Sequence, residues 1–378
     1  MHGDKFYVPI NLEGTWSDRQ LYIIDTLYTT RFTDKRYSAL THFQKQARKR
    51  EFMPLSSLYL KSVLGRNYKK IIESLIHSYV SRCDNSYTAG VKCKSYALTS
   101  QYRDKPFRTL PIQDLKFKQH LDALKDKKYQ SLSPLHKDMF KVMQNDFTFD
   151  CESAEKYFES NFSNENGIAF QLNALKEHEY YFSTDSNTGR VFTNYTNLKR
   201  EFRKFIHHAS GERLVELDIK NSQPLFLASL YNQFSHSSNS LYSNLCEQGI
   251  IYDYMQAKIG GSRDKVKTGF LTVLFSPKHW DSKVKRVFQS DFPELLDYAN
   301  HVKENRSNEL ALALQKCEAD IVLNTVGSQL LQENISFLSV HDSLIVTQSQ
   351  SEYVKNLMAR KISEQYNINP IITMKGGN

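Results

Sequence analysis

Asp218 lies in the segment LVELDIKNSQP, residues 214–224, in which acidic residues interrupt an apolar run. Apolar side chains alternate with Glu216 and Asp218, and this period of two predicts a β-strand with Asp218 near its exit. Proline is typical of the first turn of a helix, so a helix is predicted to begin at Pro224. A carboxylate at a strand exit is often only a turn or capping residue, so Asp218 indicates a reaction only together with a chemical partner.

A second aspartate, Asp342, has similar surroundings in SFLSVHDSLIV, residues 336–346. Two β-prone runs flank it, which places Asp342 at the bend of a predicted hairpin. Mg²⁺ prefers oxygen ligands and typically takes one or two carboxylates together with waters and substrate phosphates. Two such ions about 4 Å apart activate an attacking hydroxyl and stabilise a leaving oxygen. Asp218 and Asp342 together therefore predict phosphoryl transfer with two Mg²⁺ or Mn²⁺ ions.

Between the two aspartates, the segment SRDKVKTGFLTVLFS, residues 262–276, carries a repeat of four residues. Its members, Arg263, Lys267, Leu271 and Phe275, share one ridge of a predicted helix. The two cations fall on the first turns of this helix, where they oppose the helix macrodipole. A triphosphate would balance their charge, so the ridge predicts a nucleotide site.

The elements that position these residues follow a strongly basic N-terminal third. Residues 1–130 contain 24 Lys and Arg against 12 Asp and Glu, whereas the remaining chain has a net charge of −3. A concentrated positive field is typical of proteins that bind polyanions and favours nucleic acid, although solubility or attraction to a membrane surface also fits it. We therefore predict a basic N-terminal region, 1–130, and a catalytic core, 131–378.

Within the basic region, residues 54–98 form a small predicted unit. Ser56 or Ser57 caps a short helix that ends at Gly65, a second helix follows, and two short segments flank a Thr88-Ala89-Gly90 turn. This order resembles a winged helix-turn-helix module, with a structural or protein-docking role as the alternative to contact with DNA or RNA. The candidate phosphate contacts are Arg48, Lys49, Arg50, Arg66, Lys69, Lys70, Lys92 and Lys94.

Other features narrow the class of protein. Five scattered cysteines without metal-ligand spacing, no signal peptide and no apolar run of membrane-spanning length predict a cytoplasmic protein without a membrane partner. Residues 104–150 are predicted to be helical with a break at Ser133-Pro134, and the Ser/Asn-rich stretch 235–244 is predicted to be a loop. Asp150 and Glu152 have the Asp-x-Glu form of a metal-dependent exonuclease, but a helix N-terminus explains them better.

The order of the motifs resembles that of the A-family nucleic-acid polymerases, the bacterial repair and phage replicative type. TGRVFTNYTNL is similar to the family's T-G-R-x-S-S-x-x-P-N-L, and FIHHASGERLVELDIKNSQPLFLASL is similar to the strand and helix with D-Y-S-Q-I-E-L-R. SRDKVKTGFLTVLFS resembles the fingers helix R-x-x-x-K-x-x-x-F/Y-x-x-x-Y-G. FQSDFP, QKCEAD and SVHDSL resemble F-x-S-F-P, Q-G-T-A-A-D and V-H-D-E. The resemblance implies an α+β fold with an antiparallel palm sheet and trimmed helical fingers, and without an exonuclease domain.

The resemblance also implies roles for single residues. Asp218 and Asp342 would bind the metals, with the Ile219 carbonyl as a further ligand. The incoming triphosphate would lie against Arg263 and Lys267. The remaining assignments are Leu271 and Phe275 for the surface against the base and template, and Arg190, Asn197, Gln315 and His341 for the primer-template.

The chain departs from the family pattern at several positions. The glutamate that excludes a ribose 2′-hydroxyl falls on Gln223, and the aromatic residue that senses the sugar falls on Leu271. Phe275-Ser276 replaces Tyr-Gly, and Ser343 replaces the glutamate after the second aspartate. Only 75 residues separate Lys267 from Asp342, so the fingers are short. Sugar selection is therefore open, and the chain is poorly suited to long processive synthesis.

These features favour a compact enzyme of mobile genetic elements that resembles the primase-polymerases of staphylococcal cassette chromosomes. Its expected activity is to make or extend short primers on single-stranded DNA, with primer-template duplex and nucleoside triphosphates as ligands. A small accessory replication protein and a helicase are candidate partners. The alternatives are a gap-filling DNA polymerase that requires a primer and an inactive DNA-binding protein of replication initiation.

Overall fold

The computed structural model describes residues 4–33, 51–236 and 240–376. The strands are β1 Lys5–Pro9, β2 Met53–Pro54, β3 Ser81–Cys83, β4 Ser95–Leu98, β5 Phe107–Pro111, β6 Phe147–Phe149, β7 Phe182–Thr184, β8 Val191–Thr193, β9 Ile206–His208, β10 Leu214–Ile219, β11 Leu338–Val340, β12 Ser343–Thr347 and β13 Ile372–Gly376.

The helices of the N-terminal half are α1 Asp18–Thr33, α2 Ser57–Leu64, α3 Tyr68–His77, α4 Ser100–Arg103, α5 Leu115–Gln130, α6 Pro134–Asn145, α7 Cys151–Asn161 and α8 Asn166–Lys176. Those that follow are α9 Asn194–Asn197, α10 Ser222–Ser235, α11 Ser240–Glu247, α12 Ile251–Ile259, α13 Arg263–Phe275, α14 Lys283–Asp291, α15 Pro293–Val302, α16 Glu309–Ala319, α17 Ser328–Gln332 and α18 Ser351–Tyr366. Residues Arg200–Phe205 and Gln348–Gln350 form 3₁₀ turns, and Asp320–Gly327 continues α16 as a π-helix. Helices combined with small antiparallel sheets confirm the α+β class.

The chain divides into two compact units. The first comprises Met1–Ser133, Phe149–Tyr181 and Asn197–Phe205, and the second comprises Pro134–Thr148, Phe182–Thr196 and Ile206–Asn378. The first unit thus includes two segments that lie beyond the predicted boundary at residue 130. Within the described part of the chain, no helix combines the length and apolar character needed to cross a bilayer.

The first unit has a core built around β1 and α1. β1 pairs antiparallel with β5, and Phe6 and Val8 of β1 are fully buried. The Tyr7 hydroxyl donates a hydrogen bond to Glu179 Oε2 at 2.6 Å. The apolar side chains of α1, α2 and α3 join the same core cluster. Burial of this cluster therefore holds the 54–98 segment on the rest of the unit.

The elements of residues 54–98 follow the predicted order. Ser56 caps α2 by accepting a hydrogen bond from the Tyr59 amide at 3.1 Å, and Gly65 ends the helix with φ of 79°. A left-handed backbone of this kind favours glycine. β3 and β4 pair antiparallel beyond α3, and β4 also pairs with β2. Classification of this segment as a winged helix remains a prediction, and the cluster Arg48-Lys49-Arg50 lies outside the described residues.

Three sequence predictions need correction. Residues 104–150 are not helical throughout, because Phe107–Pro111 forms β5 against β1 and Phe147–Phe149 forms β6. The stretch 235–244 is not a loop throughout, because α11 begins at Ser240. The helix after β10 begins at Ser222 rather than at Pro224. By contrast, Asp150 is confirmed as a helix N-cap, since its carboxylate accepts from the Ser153 amide at 3.0 Å.

The second unit is organised by a four-stranded sheet with the order β11-β12-β10-β13. β10 is a central strand, antiparallel to both β12 and β13. Val215, Leu217 and Ile219 of β10 are buried on one face, whereas Glu216 and Asp218 are half-buried on the opposite face, which they share with buried Leu214. The alternation in the sequence therefore sets the face on which Asp218 lies.

Candidate active site

The sheet brings the two predicted aspartates together. Asp218 on β10 lies directly opposite Ser343 on β12, the residue that follows Asp342. Asp342 is the second residue of the two-residue turn between β11 and β12, and its carbonyl accepts from the Ile219 amide at 3.4 Å. The first residue of that turn, His341, has φ of 60°. A positive φ in a two-residue hairpin turn matches the right-handed twist of the strands.

A third carboxylate, Glu318, lies at the same place. Burial, followed by the negative charges of Glu318 and Asp218, raises the pKa of Asp342 from 3.8 to about 7. The contributions of Glu318 and Asp218 to this rise indicate that both carboxylates lie near Asp342. The three carboxylates therefore form one acidic cluster.

Glu318 is held by a network of hydrogen bonds. The Ser222 hydroxyl lies 2.6 Å from Glu318 Oε1 and 2.9 Å from Asp342 Oδ2. The Gln223 amide donates to Glu318 Oε1, and the Arg190 guanidinium forms an ion pair with Glu318 Oε2. Glu318 itself is only 1% exposed. A buried carboxylate needs such partners, since an unpaired one would be strongly destabilising.

Sequence reasoning missed Glu318, although a signal was present. Leu310, Leu314 and Glu318 follow one another at intervals of four on α16, and all three are buried. An acidic residue that continues the buried stripe of a helix indicates a partner inside the fold. The motif QKCEAD contains Glu318, but no local pattern in it predicts Ser222, Gln223 or Arg190 as the partners of Glu318.

A second residue that was missed, Lys375, comes from the last strand. Its Nζ lies 2.5 Å from Asp218 Oδ2. Lys375 is opposite Glu216 in the register of β10 and β13, so it reaches Asp218 diagonally on the same face. On the other side of β10, the Ser343 hydroxyl donates to Glu216 Oε1 at 3.0 Å. The face that carries Asp218 is therefore polar on both flanks.

The predicted cationic ridge is a helix, as expected. Ser262 caps α13 by accepting from the Lys265 amide, and the helix runs from Arg263 to Phe275. The Arg263 Nε donates to Asp253 Oδ1 at 2.8 Å. The Arg263 guanidinium and the Lys267 ammonium lie 5.5 and 5.8 Å from the centre of the Tyr252 ring. Tyr252 thus presents its ring to both cations.

Tyr252 links the ridge to the acidic cluster. Burial raises its pKa, Arg263 acts against that rise, and the negative charges of Asp342 and Glu318 add to it. The Tyr252 hydroxyl therefore interacts electrostatically with Arg263 on the first turn of α13 and with the carboxylates of Asp342 and Glu318. Leu271 and Phe275 on the same ridge are half-buried, whereas Lys267 is exposed.

The remaining predicted site residues are more dispersed. Gln315 is half-buried on α16, and the His341 ring packs edge-on against Phe192, with centroids 6.0 Å apart. Asn197 belongs to the first unit, where its amide donates to the Tyr181 hydroxyl. Arg190 is paired with Glu318 as described above.

The donor chemistry of the acidic cluster is suitable for a hard divalent cation. Two carboxylates with access to water and substrate phosphates are a sufficient protein contribution for Mg²⁺. Among the described residues, no group of three or more His, Cys, Asp or Glu side chains is arranged as a preformed metal site. Mg²⁺ bound by two carboxylates typically completes its coordination with oxygens of water and substrate phosphates.

Comparisons with known proteins add a weak resemblance. No protein-family model matches the chain, and no curated protein matches it. Among the solved structures that resemble it is the POL domain of Pol1 from M. smegmatis in complex with DNA primer-template and dNTP, with a TM-score of 0.41 and 13% sequence identity over 61% of this chain. The chain spans 55% of the length of that polymerase chain. A likeness at this level carries no functional conclusion by itself.

Proposed function

We propose that the chain is a template-dependent nucleotidyltransferase of the A-family polymerase type that makes or extends short primers on single-stranded DNA. The observation that supports this proposal is the convergence of Asp218 and Asp342, which lie 124 positions apart in the chain, at one end of the central strands β10 and β12. Asp342 interacts with the negative charge of Glu318, and Tyr252 interacts both with these carboxylates and with Arg263 on the first turn of α13. The site therefore combines the acidic and the cationic side chains that a nucleotide site requires.

In this proposal Asp218 and Asp342, with the main-chain carbonyl of Ile219, hold two Mg²⁺ or Mn²⁺ ions. The ions supply activation of the attacking hydroxyl and stabilisation of the leaving oxygen. The chain positions its own carboxylates through the β10–β12 register and through the Ser222 hydroxyl. Lys375 places a further positive charge beside Asp218.

Arg263 and Lys267 bind the triphosphate. Lys267 is exposed on the first turns of α13, and Arg263 is held beside it by Asp253. Leu271 and Phe275 continue the same ridge and contact the base and the template. Phosphoryl transfer requires mainly positioning and charge neutralisation from a protein, and this helix contributes both.

DNA contacts complete the proposal. Gln315, His341 and Arg190 lie in the second unit with the aspartates and contact the primer-template. Asn197, in the first unit, is a further candidate contact to DNA. The basic N-terminal region binds single-stranded template or an accessory replication protein, and a helicase is a further candidate partner. Gln223 carries no charge, and its amide donates to the Glu318 carboxylate. Discrimination between deoxy- and ribonucleotides therefore differs from that of a polymerase with glutamate at this position.

The test is an extension assay with purified full-length protein, Mg²⁺ or Mn²⁺, and labelled deoxy- or ribonucleotides on single-stranded template, with and without an annealed primer. Products in both lanes support the proposal, whereas products only with a primer favour a gap-filling polymerase. Asp218→Asn and Asp342→Asn should each reduce extension by at least about 1,000-fold. Asp297→Asn, the same change on an exposed helix face, is the matched control. Absence of product from wild type while DNA binding persists would favour an inactive initiation protein.

A further inference from the structure

A cavity of about 960 Å³ lies between α2, α3 and the segment that joins β3 to β4. We name this joining segment, residues 84–94, the arm, and the cavity the arm groove. Its volume is at the upper end of the range for ligand-binding clefts.

The arm is a built element that closes one side of the groove. The Asp84 carboxylate accepts from the Ser86 amide at 3.1 Å and the Ser95 amide at 3.0 Å, and it pairs with Lys92. At the tip, Thr88 and Lys92 exchange backbone hydrogen bonds of 2.8 and 2.9 Å. These bonds hold the base and the tip of the arm in a defined conformation.

Large apolar side chains stand at the edges of the groove. Leu58 on α2 is 78% exposed, and Tyr87 and Val91 on the arm are 65% and 84% exposed. The floor is formed by buried aliphatic residues such as Leu60 and Ile72. Exposed apolar side chains that line one cavity above a buried floor form a candidate contact site.

The charge around the groove is positive. Lys69, Lys92 and Lys94 line it together with a single acidic residue of α3, Glu73. Within the ranges that the structure describes, Lys69 and Lys94 form no ion pair, whereas Lys92 is bonded to Asp84. The groove is therefore complementary to a ligand that is apolar on one side and anionic at its edges.

We propose that the arm groove binds an acidic amphipathic helix of a partner protein. Such a helix inserts apolar side chains at positions i, i+3, i+4 and i+7, and its acidic residues face the lysines. Single-stranded nucleic acid is the less suitable occupant, because its bases stack on exposed aromatic rings. Of the three tyrosines that line the groove, Tyr68 and Tyr96 are buried and only Tyr87 is exposed. The proposal is independent of the enzymatic activity, since no residue of the acidic cluster takes part in it.

In the experiment, a display library of random 16-residue peptides is selected for binding to the purified full-length protein. Enriched peptides should be acidic and should repeat apolar residues at helical spacing. Leu58→Asp and Val91→Asp should weaken their binding by at least 10-fold. Leu115→Asp, which changes an apolar residue of the same unit that is 70% exposed, should leave it unchanged. Thermal melting of each variant checks that these surface substitutions preserve the fold.

Charge and nucleic acid are tested in parallel. The double variant Lys69→Gln, Lys94→Gln should reduce peptide affinity about 10-fold and remove most of its salt dependence. A fluorescent oligothymidine should bind Leu58→Asp as tightly as wild type. The proposal is overturned if no peptide is enriched, if the enriched peptides bind Leu58→Asp normally, or if Leu58→Asp releases the oligothymidine.

Discussion

Replacing Asp342 by asparagine should stabilise the metal-free protein at pH 8, although it removes a proposed metal ligand. Burial and the charges of Glu318 and Asp218 raise the pKa of Asp342 from 3.8 to about 7. At 1.36 kcal/mol per pH unit, this difference corresponds to up to about 4 kcal/mol of unfolding free energy. Asparagine keeps the shape of the side chain and removes the charge.

The direction of the pH dependence follows from proton binding. Between about pH 4 and pH 7 the folded protein retains a proton on Asp342 that the unfolded chain has released. The contribution of Asp342 to stability is therefore greatest below pH 4 and is lost as the pH rises through 7. The advantage of Asp342→Asn should accordingly be largest above pH 7 and fall below about 1 kcal/mol near pH 4.

Urea unfolding in EDTA at pH 4, 6 and 8 measures this advantage. Asp297→Asn, on an exposed helix face, should show no comparable pH dependence. Mg²⁺ added at pH 8 should stabilise wild type more than Asp342→Asn, because only wild type retains both carboxylates. A variant that is less stable than wild type at pH 8, or a difference that does not change with pH, would refute the electrostatic account of the acidic cluster.

Other substitutions test the surroundings of the site. Gly269→Ala should destabilise the protein by about 1–3 kcal/mol in urea, because the added Cβ would lie 2.6 Å from Val284 Cγ2 on α14; the cost should fall in a Val284→Ala background. Lys303 is buried, its ammonium binds two carbonyls at the end of α13, and burial lowers its pKa from 10.5 to about 8. The unfolded chain therefore binds more protons between pH 8 and 10.5, so wild-type stability should rise across this window in thermal melts, and Lys303→Met should lack the rise. Gln223→Glu should destabilise the protein by about 3 kcal/mol or more, because it places a second carboxylate beside buried Glu318. Gln223→Met should destabilise it by only about 1 kcal/mol. Equal losses of unfolding free energy in urea would contradict the role of charge.

Local patterns were sufficient to predict the elements that carry the aspartates and the ridge. The alternation around Asp218 predicted a strand, the two β-prone runs predicted a hairpin at Asp342, and the interval of four between Arg263 and Lys267 predicted a helix. The structure confirms all three as β10, the β11–β12 hairpin and α13. Each of these signals lies within about 15 residues, the length over which hydrophobic periodicity is informative.

Composition misled the prediction where buried side chains decide the structure. The Ser/Asn-rich stretch predicted a loop, but Tyr242, Leu245 and Cys246 recur at helical spacing and are buried on α11. Tertiary burial outweighs the weak helix propensity of serine and asparagine. The partners of Glu318 and the pair between Lys375 and Asp218 could not be predicted either, because these contacts join residues 95 to 157 positions apart.

The position of β10 between β12 and β13 also governs when the acidic cluster can form during folding. Contacts from β10 to its two neighbours join residues 127 and 155 positions apart. Closing such long loops is entropically costly and slows folding. During synthesis on the ribosome, the Asp218 strand must therefore wait for both neighbours to emerge, and until then its unpaired edges are exposed to aggregation.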